Sequence, residues 1–172
     1  MGVLPEFAIS VRQPWAWAII HGGKDVENRV KRAITMGGMD RHKRIAIHAS
    51  SGMTRDEYEE AREFMEDDCG VSCPHPSKLL RGGIIGSVSI VGVVKESRSP
   101  WFFGPWALEL ADAEDCEPIP CGGQLGAFRW QRSDAGFREP LPWMMAWPER
   151  ALRKAALPAV VQGADLFDRP RP

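Results

Sequence analysis

Three ionisable side chains of different chemistry fall close together in Gly22-Gly23-Lys24-Asp25-Val26-Glu27-Asn28-Arg29. Arg29 offers a planar fork that matches two phosphate oxygens, and Lys24 is a point charge that can shed its proton when partly buried. Glu27 can act as a base or pair with either cation. If 25–29 is a strand, Glu27 and Arg29 share one face, and Val26 and Asn28 take the other. A plain ion pair between Glu27 and Arg29 would serve only to hold the fold together. Gathering three charged groups directly after a helix stop is costly for packing alone, which favours a functional reading.

Further candidates lie outside that segment. In the run Ile47-His48-Ala49-Ser50, His48 and Ser50 share the face away from Ile47 and are placed to line a cleft beside Lys24; a histidine satisfied by backbone partners is the alternative. Trp15, Trp101, Phe102, Phe103 and Trp106 are possible surfaces for stacking a single-stranded base. Most such rings plug cores, and Trp15 and Trp101 are the two chosen as base platforms. Cys69, Cys73, Cys116 and Cys121 are spaced C-x3-C and C-x4-C, looser than the usual zinc C-x2-C pair. No metal and no cofactor are expected, and reduced thiols fit a chain that has no need of staples.

These groups must be positioned by local elements. Residues 7–11 read as a strand, followed by a helix over 15–20 with Pro14 at its first position and Gly22-Gly23 as its stop. Lys24 then sits at a hinge, a loop holds Met36 to Met39, and 44–49 alternates as a strand that turns His48 away from Ile45 and Ile47. Thr54 and Glu57 form a capping box and Met53 with Tyr58 a hydrophobic staple for a helix ended by Gly70. Its narrow stripe of Tyr58, Ala61 and Met65 predicts an outer helix with its acidic face in water. Residues 84–94 form a β-branched strand with Gly86 and Gly92 as bend points, and 106–110, 117–119 and 126–130 supply shorter strands. The tail carries Trp143, Trp147 and a predicted helix over 148–156.

At 172 residues, with 44% apolar and 26% charged residues, the chain has the composition of one globular domain. Its apolar runs are too short to cross a bilayer, which needs ~20 residues, and its start lacks a basic leader, so a cytoplasmic protein without a membrane span is expected. The net charge of −1 hides a separation. Arg29, Lys31, Arg32, Arg41, Lys43 and Arg44 form a basic stretch, whereas the predicted helix after Thr54 is strongly acidic. Such a pattern suits a protein that engages phosphate at one place only, or else two solvated faces.

Gln13-Pro14-Trp15 followed by Gly22 to Arg29 resembles the ASCH-family signature G-x-K-x-x-E-x-R, complete at its fixed positions. Ile47-His48-Ala49-Ser50, Gly83-Ile84-Ile85-Gly86, Ser99-Pro100-Trp101-Phe102-Phe103-Gly104-Pro105-Trp106 and Cys121-Gly122-Gly123-Gln124-Leu125-Gly126 are also similar to the family, in family order. The similarity spans about residues 6–130. It implies an α+β protein with a PUA-like bent β-barrel, flanking helices and a cleft. An ASCH domain is accordingly expected over 6–131, with a C-terminal extension over 132–172.

The resemblance implies RNA-related work of three kinds. A binding module would hold single-stranded or modified RNA, or a nucleoside or nucleotide, using Lys24, Arg29, Trp15, His48, Ser50 and Trp101. A hydrolase would use Lys24 and Glu27 as catalytic residues, Glu27 deprotonating a ribose 2′-hydroxyl while Lys24 and Arg29 stabilise the phosphorane without metal. Relatives that deacylate acetylated cytosine carry threonine where this chain has Glu27, so that reaction lacks one expected group. A co-regulator would instead meet a protein partner through the tryptophans of the extension.

Overall fold

The computed structural model describes residues 3–149. One six-stranded sheet, in the order β2-β5-β4-β3-β1-β6, curls into a half-barrel with a few helices around it. Its strands are β1 (Phe7–Val11), β2 (Val26–Asn28), β3 (Arg44–Ala49), β4 (Gly83–Val94), β5 (Ala107–Pro120) and β6 (Ala127–Arg129). The helices are α1 (Trp15–His21), α2 (Lys31–Met36), α3 (Arg55–Asp67) and α4 (Pro142–Met145). Among the described residues the end strands β2 and β6 pair only with β5 and β1, so the expected bent barrel takes the form of a half-barrel open between them.

Alternation along the strands sorts side chains into two layers. Ile9 and Val11 of β1 and Ile45, Ile47 and Ala49 of β3 pack inward with Ala16 and Ile19 of α1, while Ala8 and Ala46 pack with Ile84, Cys121 and Phe128. β1 and β3 run parallel, which requires the crossover that α1, β2 and α2 supply. The expected bend points at Gly86 and Gly92 coincide with breaks in the β4–β5 register. The two short strands expected over 106–110 and 117–119 are one strand, because β4 is long enough to pair along all of β5.

α3 follows its signals closely. The Thr54 side chain accepts from Glu57 N, Glu57 returns a bond to Thr54 N, and Met53 and Tyr58 share a core cluster. Tyr58, Ala61 and Met65 are its buried residues. α1 departs from expectation at its start. Pro14 precedes the first helical residue after a cis Gln13–Pro14 bond, and the buried Gln13 side chain caps the helix, accepting from Trp17 N at 3.0 Å and donating to Leu80 O at 2.8 Å. α2 was not expected; the loop expected to hold Met36 to Met39 takes in only its last residue, before the Gly37-Gly38 stop.

The expected boundary at 131/132 is not a break in packing. Arg132 bridges to Cys121, Ser133 N donates to Pro120 O, and Arg138 N donates to Arg81 O. Met144 is fully buried in the cluster of Tyr58 and Met65, and Trp143 and Trp147 lie against the Tyr58 ring. The helix expected over 148–156 lies outside the described residues except at its first positions. Because Met144 fills a core site, Met144→Ala should lower unfolding free energy by about 2–5 kcal/mol in urea titrations. A loss near zero would mean that 132–149 is a detachable extension.

Candidate functional site

α1 ends at His21, and Gly23 takes φ +73°, a left-handed conformation that a side chain would strain, so the chain turns sharply into β2 with Lys24 at the corner. Lys24 Nζ donates to Glu27 Oε2 at 2.8 Å and to its own neighbour Val26 O. Arg29 approaches from the other side, with Nε donating to Glu27 Oε1 at 3.1 Å. Its Nη2 donates to Ser10 O at 2.7 Å, a carbonyl of β1 just beyond the last residue paired with β6. The three charged ends therefore meet. They form a bridge from edge strand β2 to β1 across the open side of the half-barrel.

Burial ranks the members of this bridge. The side chains of Lys24 and Glu27 are 2% and 9% exposed, and that of Arg29 is 28% exposed. Burial alone would raise the Glu27 carboxyl, but the Lys24 and Arg29 charges, and the hydrogen bonds they donate, hold it below its ordinary 4.5. A carboxylate so stabilised is a weak proton acceptor near neutral pH. Lys24 has its ammonium bound to the carboxylate and a carbonyl, so only Arg29 faces outward.

His48 and Ser50 are not brought beside Lys24. Lys24 lines a cavity of about 180 Å³ with Ile19, Gly23, Asp25 and Leu110. His48 and Ser50 line another, of about 290 Å³, with Ser10, Ser51, Gly123 and Gln124. The link between them is Ser10, whose carbonyl binds Arg29 and whose Oγ lies 3.0 Å from His48 Nδ1. His48 Nε2 is 3.1 Å from Cys121 O, which can only accept, so Nε2 carries the proton. Burial lowers the His48 pKa against the opposing effect of that hydrogen bond, which favours the neutral ring with Ser10 Oγ donating to Nδ1. Every polar atom of the buried ring is thus satisfied inside the protein.

The aromatic candidates divide as well. Trp15, Phe64, Trp101 and Phe103 form a contacting group, with Phe64 and Phe103 centroids 4.8 Å apart. Trp101 is 4% exposed beneath it, which leaves no ring face for a base; Trp15 is partly exposed and Phe103 is 58% exposed. Asn28, on the face of β2 opposite Glu27, fixes this loop by donating to Trp101 O and accepting from Phe103 N. On the Arg29 side, Trp106 O accepts from Arg29 N, and the ammonium groups of Lys31 and Lys95 each lie 4.7 Å from the Trp106 ring centroid. Trp106 is among the rings considered for stacking but not one of the two chosen, and Lys95 carries no signal in the sequence; the lysine just after β4 and the tryptophan just before β5 adjoin because the two strands form a hairpin.

The four cysteines are free thiols, with Cys73 and Cys121 buried and the Cys73 thiol pushed up to about 12 by burial. Among the described residues no group of three or more His, Cys, Asp or Glu side chains is arranged to hold a metal ion, and no helix is long and apolar enough to cross a membrane. Among known proteins, no family model and no curated sequence matches the chain.

Two stability predictions follow from the bridge. Glu27→Gln leaves two cations facing each other with one of them buried, and should cost about 3–5 kcal/mol, whereas Arg29→Ala keeps the Lys24–Glu27 pair and should cost less, about 1–3 kcal/mol. Urea titration distinguishes them, and equal losses would deny Glu27 its central place. Because the folded carboxyl titrates below the unfolded 4.5, its contribution is complete above that pH and is lost as pH falls through the folded value. Acid unfolding of Glu27→Gln should show a correspondingly shallower slope below pH 4.5.

Proposed function

We propose that this protein binds single-stranded or modified RNA, or a nucleotide from it, through the surface on which Arg29 emerges, and that it is an ASCH protein whose half-barrel is of the PUA-like type, at work in the cytoplasm. The observation that carries the reading is Arg29 itself. Its guanidinium is immobilised by Glu27 and Ser10 O and remains 28% exposed, and its backbone N donates to the carbonyl of Trp106, over whose ring lie the Lys31 and Lys95 ammonium groups. Fixed cations beside a tryptophan suit phosphate contact with limited stacking. In this reading Lys24 and Glu27 position Arg29, and Phe103 with Trp15 replaces Trp101 as the nearest additional stacking surface.

The hydrolytic alternative finds less support. Glu27 is a poor base where it sits, and the hydroxyl of Ser10, although bonded to a neutral His48, is overlain by Gly123, on which even a Cβ would come within 2.7 Å of Ser10 Oγ. The protein-partner alternative loses its proposed surface, because Trp143 and Trp147 pack on Tyr58.

Fluorescence anisotropy with labelled single-stranded RNA tests the reading. Log affinity should fall linearly with log salt, and Arg29→Ala should weaken binding and flatten the slope by about 0.7. Lys24→Met, if it remains folded, should weaken binding less than Arg29→Ala. Salt-insensitive binding, or binding indifferent to Arg29, would remove the support for RNA, and release of acetate from an acetylated cytidine would favour the hydrolase.

A further inference from the structure

A second cationic locus adjoins Ser51, one of the residues that line the cavity holding Ser10 and His48. Arg81, just before β4, is 3% exposed, and its guanidinium donates to Ser51 O at 2.8 Å and to Glu139 O at 2.5 Å. Its partners are carbonyls from two separate segments. Arg138 is stapled to it through Arg138 N and Arg81 O at 2.9 Å, and its side chain is exposed. Among the described residues neither arginine forms an ion pair, in contrast to Arg12, which is bound to Glu57 at 2.6 Å on the neighbouring loop.

Gly82 brings this locus to the cavity. It adopts φ +83°, and a Cβ there would lie 3.3 Å from Arg138 Cγ and 3.6 Å from Ser51 Oγ, so the arginine stem and the hydroxyl cross the bare backbone side by side. Ser51 also lines the cavity, together with Ser50, Ser10 and Gln124, and that lining contains no carboxylate. Burial and the neighbouring Arg138 both press on the Arg81 charge, with no acid to relieve it. The Arg138 guanidinium, without counter-charge and beside several hydroxyls, offers with them donors from several directions, which fits a tetrahedral oxyanion better than a planar carboxylate that one arginine would satisfy.

We propose that Arg138, with Ser50 and Ser51, forms a phosphate subsite at the mouth of this cavity, and that buried Arg81 is its positioning residue. The proposal rests on the RNA reading above and deepens it: one phosphate meets Arg29, and another meets Arg138. Arg81 clamps 51 to 139 and adds positive potential behind the site without touching the ligand.

The test uses the full chain and two probes, a short single-stranded RNA and a free nucleoside 5′-diphosphate. Arg138→Ala, on an exposed side chain, should weaken RNA binding on the order of tenfold, as loss of one charge-assisted contact does, and lower the log–log salt slope by about 0.7. Arg138→Lys should restore the slope but only part of the affinity, because an ammonium cannot reproduce the fork. Ser51→Ala should weaken binding with no change in slope, a readout that a purely structural Arg138 would not share. If the wild-type protein binds RNA and Arg138→Ala changes neither affinity nor slope, the subsite is wrong and the RNA reading stands. If RNA fails to bind but the diphosphate binds and is lost in Arg138→Ala, the subsite stands for free nucleotides and the RNA reading falls. Binding of neither probe overturns both.

Discussion

A single carboxylate, Glu27, holds two cations in place, and the open side of the sheet is closed through them. Taking this carboxylate and the Lys24 ammonium out of water carries a large desolvation cost, and the cost is met only because the carboxylate accepts from both neighbours and Lys24 has a carbonyl as well. The sum of the three charges is positive. That surplus is expressed where the bridge reaches solvent, at Arg29, whose remaining contact is the Ser10 carbonyl left without a β6 partner. The geometry thus converts a strand edge that would otherwise expose an unpaired acceptor into a fixed cation.

Much of this was legible in the sequence, for a definable reason. Period-two alternation over 44–49 sends Ile45 and Ile47 to one layer and His48 to the other, and the same rule brings together Glu27 of β2 and Arg29 just beyond its end. The capping box at Thr54 is a local signal and survives intact. What the sequence did not show depends on tertiary neighbours. Whether His48 shares a cavity with Lys24 is decided by the Arg29–Ser10 contact that stands between them, which no alternation rule addresses. The burial of Trp101 is decided by Phe64 of α3 and Trp15 of α1 closing over it, and the docking of Trp143 and Trp147 by Tyr58, far away in the chain. α2 escaped notice because β-branched and basic residues beside a Gly-Gly pair give a weak helical pattern.

The same bridge bears on the choice between catalyst and binder. General-base chemistry near neutral pH wants a proton acceptor whose affinity for protons is raised, and burial alone would have raised that of Glu27. Two flanking cations reverse the outcome. An enzyme using this carboxylate as base would have to displace one of them on binding substrate, losing a buried ion pair at the moment of reaction. A binder has no such difficulty, since it needs only that Arg29 stay where Glu27 holds it.

Net charge is a poor guide to where such a protein could meet an anion, because several of its surface arginines are already spent. Arg12, Arg55, Arg62, Arg44 and Arg129 each sit on a carboxylate, at Glu57, Glu59, Glu66, Glu114 and Glu6. Of these, Arg55 and Arg62 lie on α3 itself, so the acidic helix neutralises part of its own charge and draws in Arg12 from outside. Cations with no such partner among the described residues include Lys31 and Lys95 over Trp106 and Arg138 with Arg81 behind it, and Arg29 adds the outward part of a guanidinium already paired with Glu27. Arg29 and the Ser10–His48 cavity meet at one residue of β1, and the Arg138 stem lies across Gly82 beside Ser51 of that cavity's lining. On the reading proposed above, a strand of nucleic acid held at Arg29 would pass by Ser10 toward Ser51. It would be kept off α3 by carboxylates whose surplus the helix arginines do not cancel.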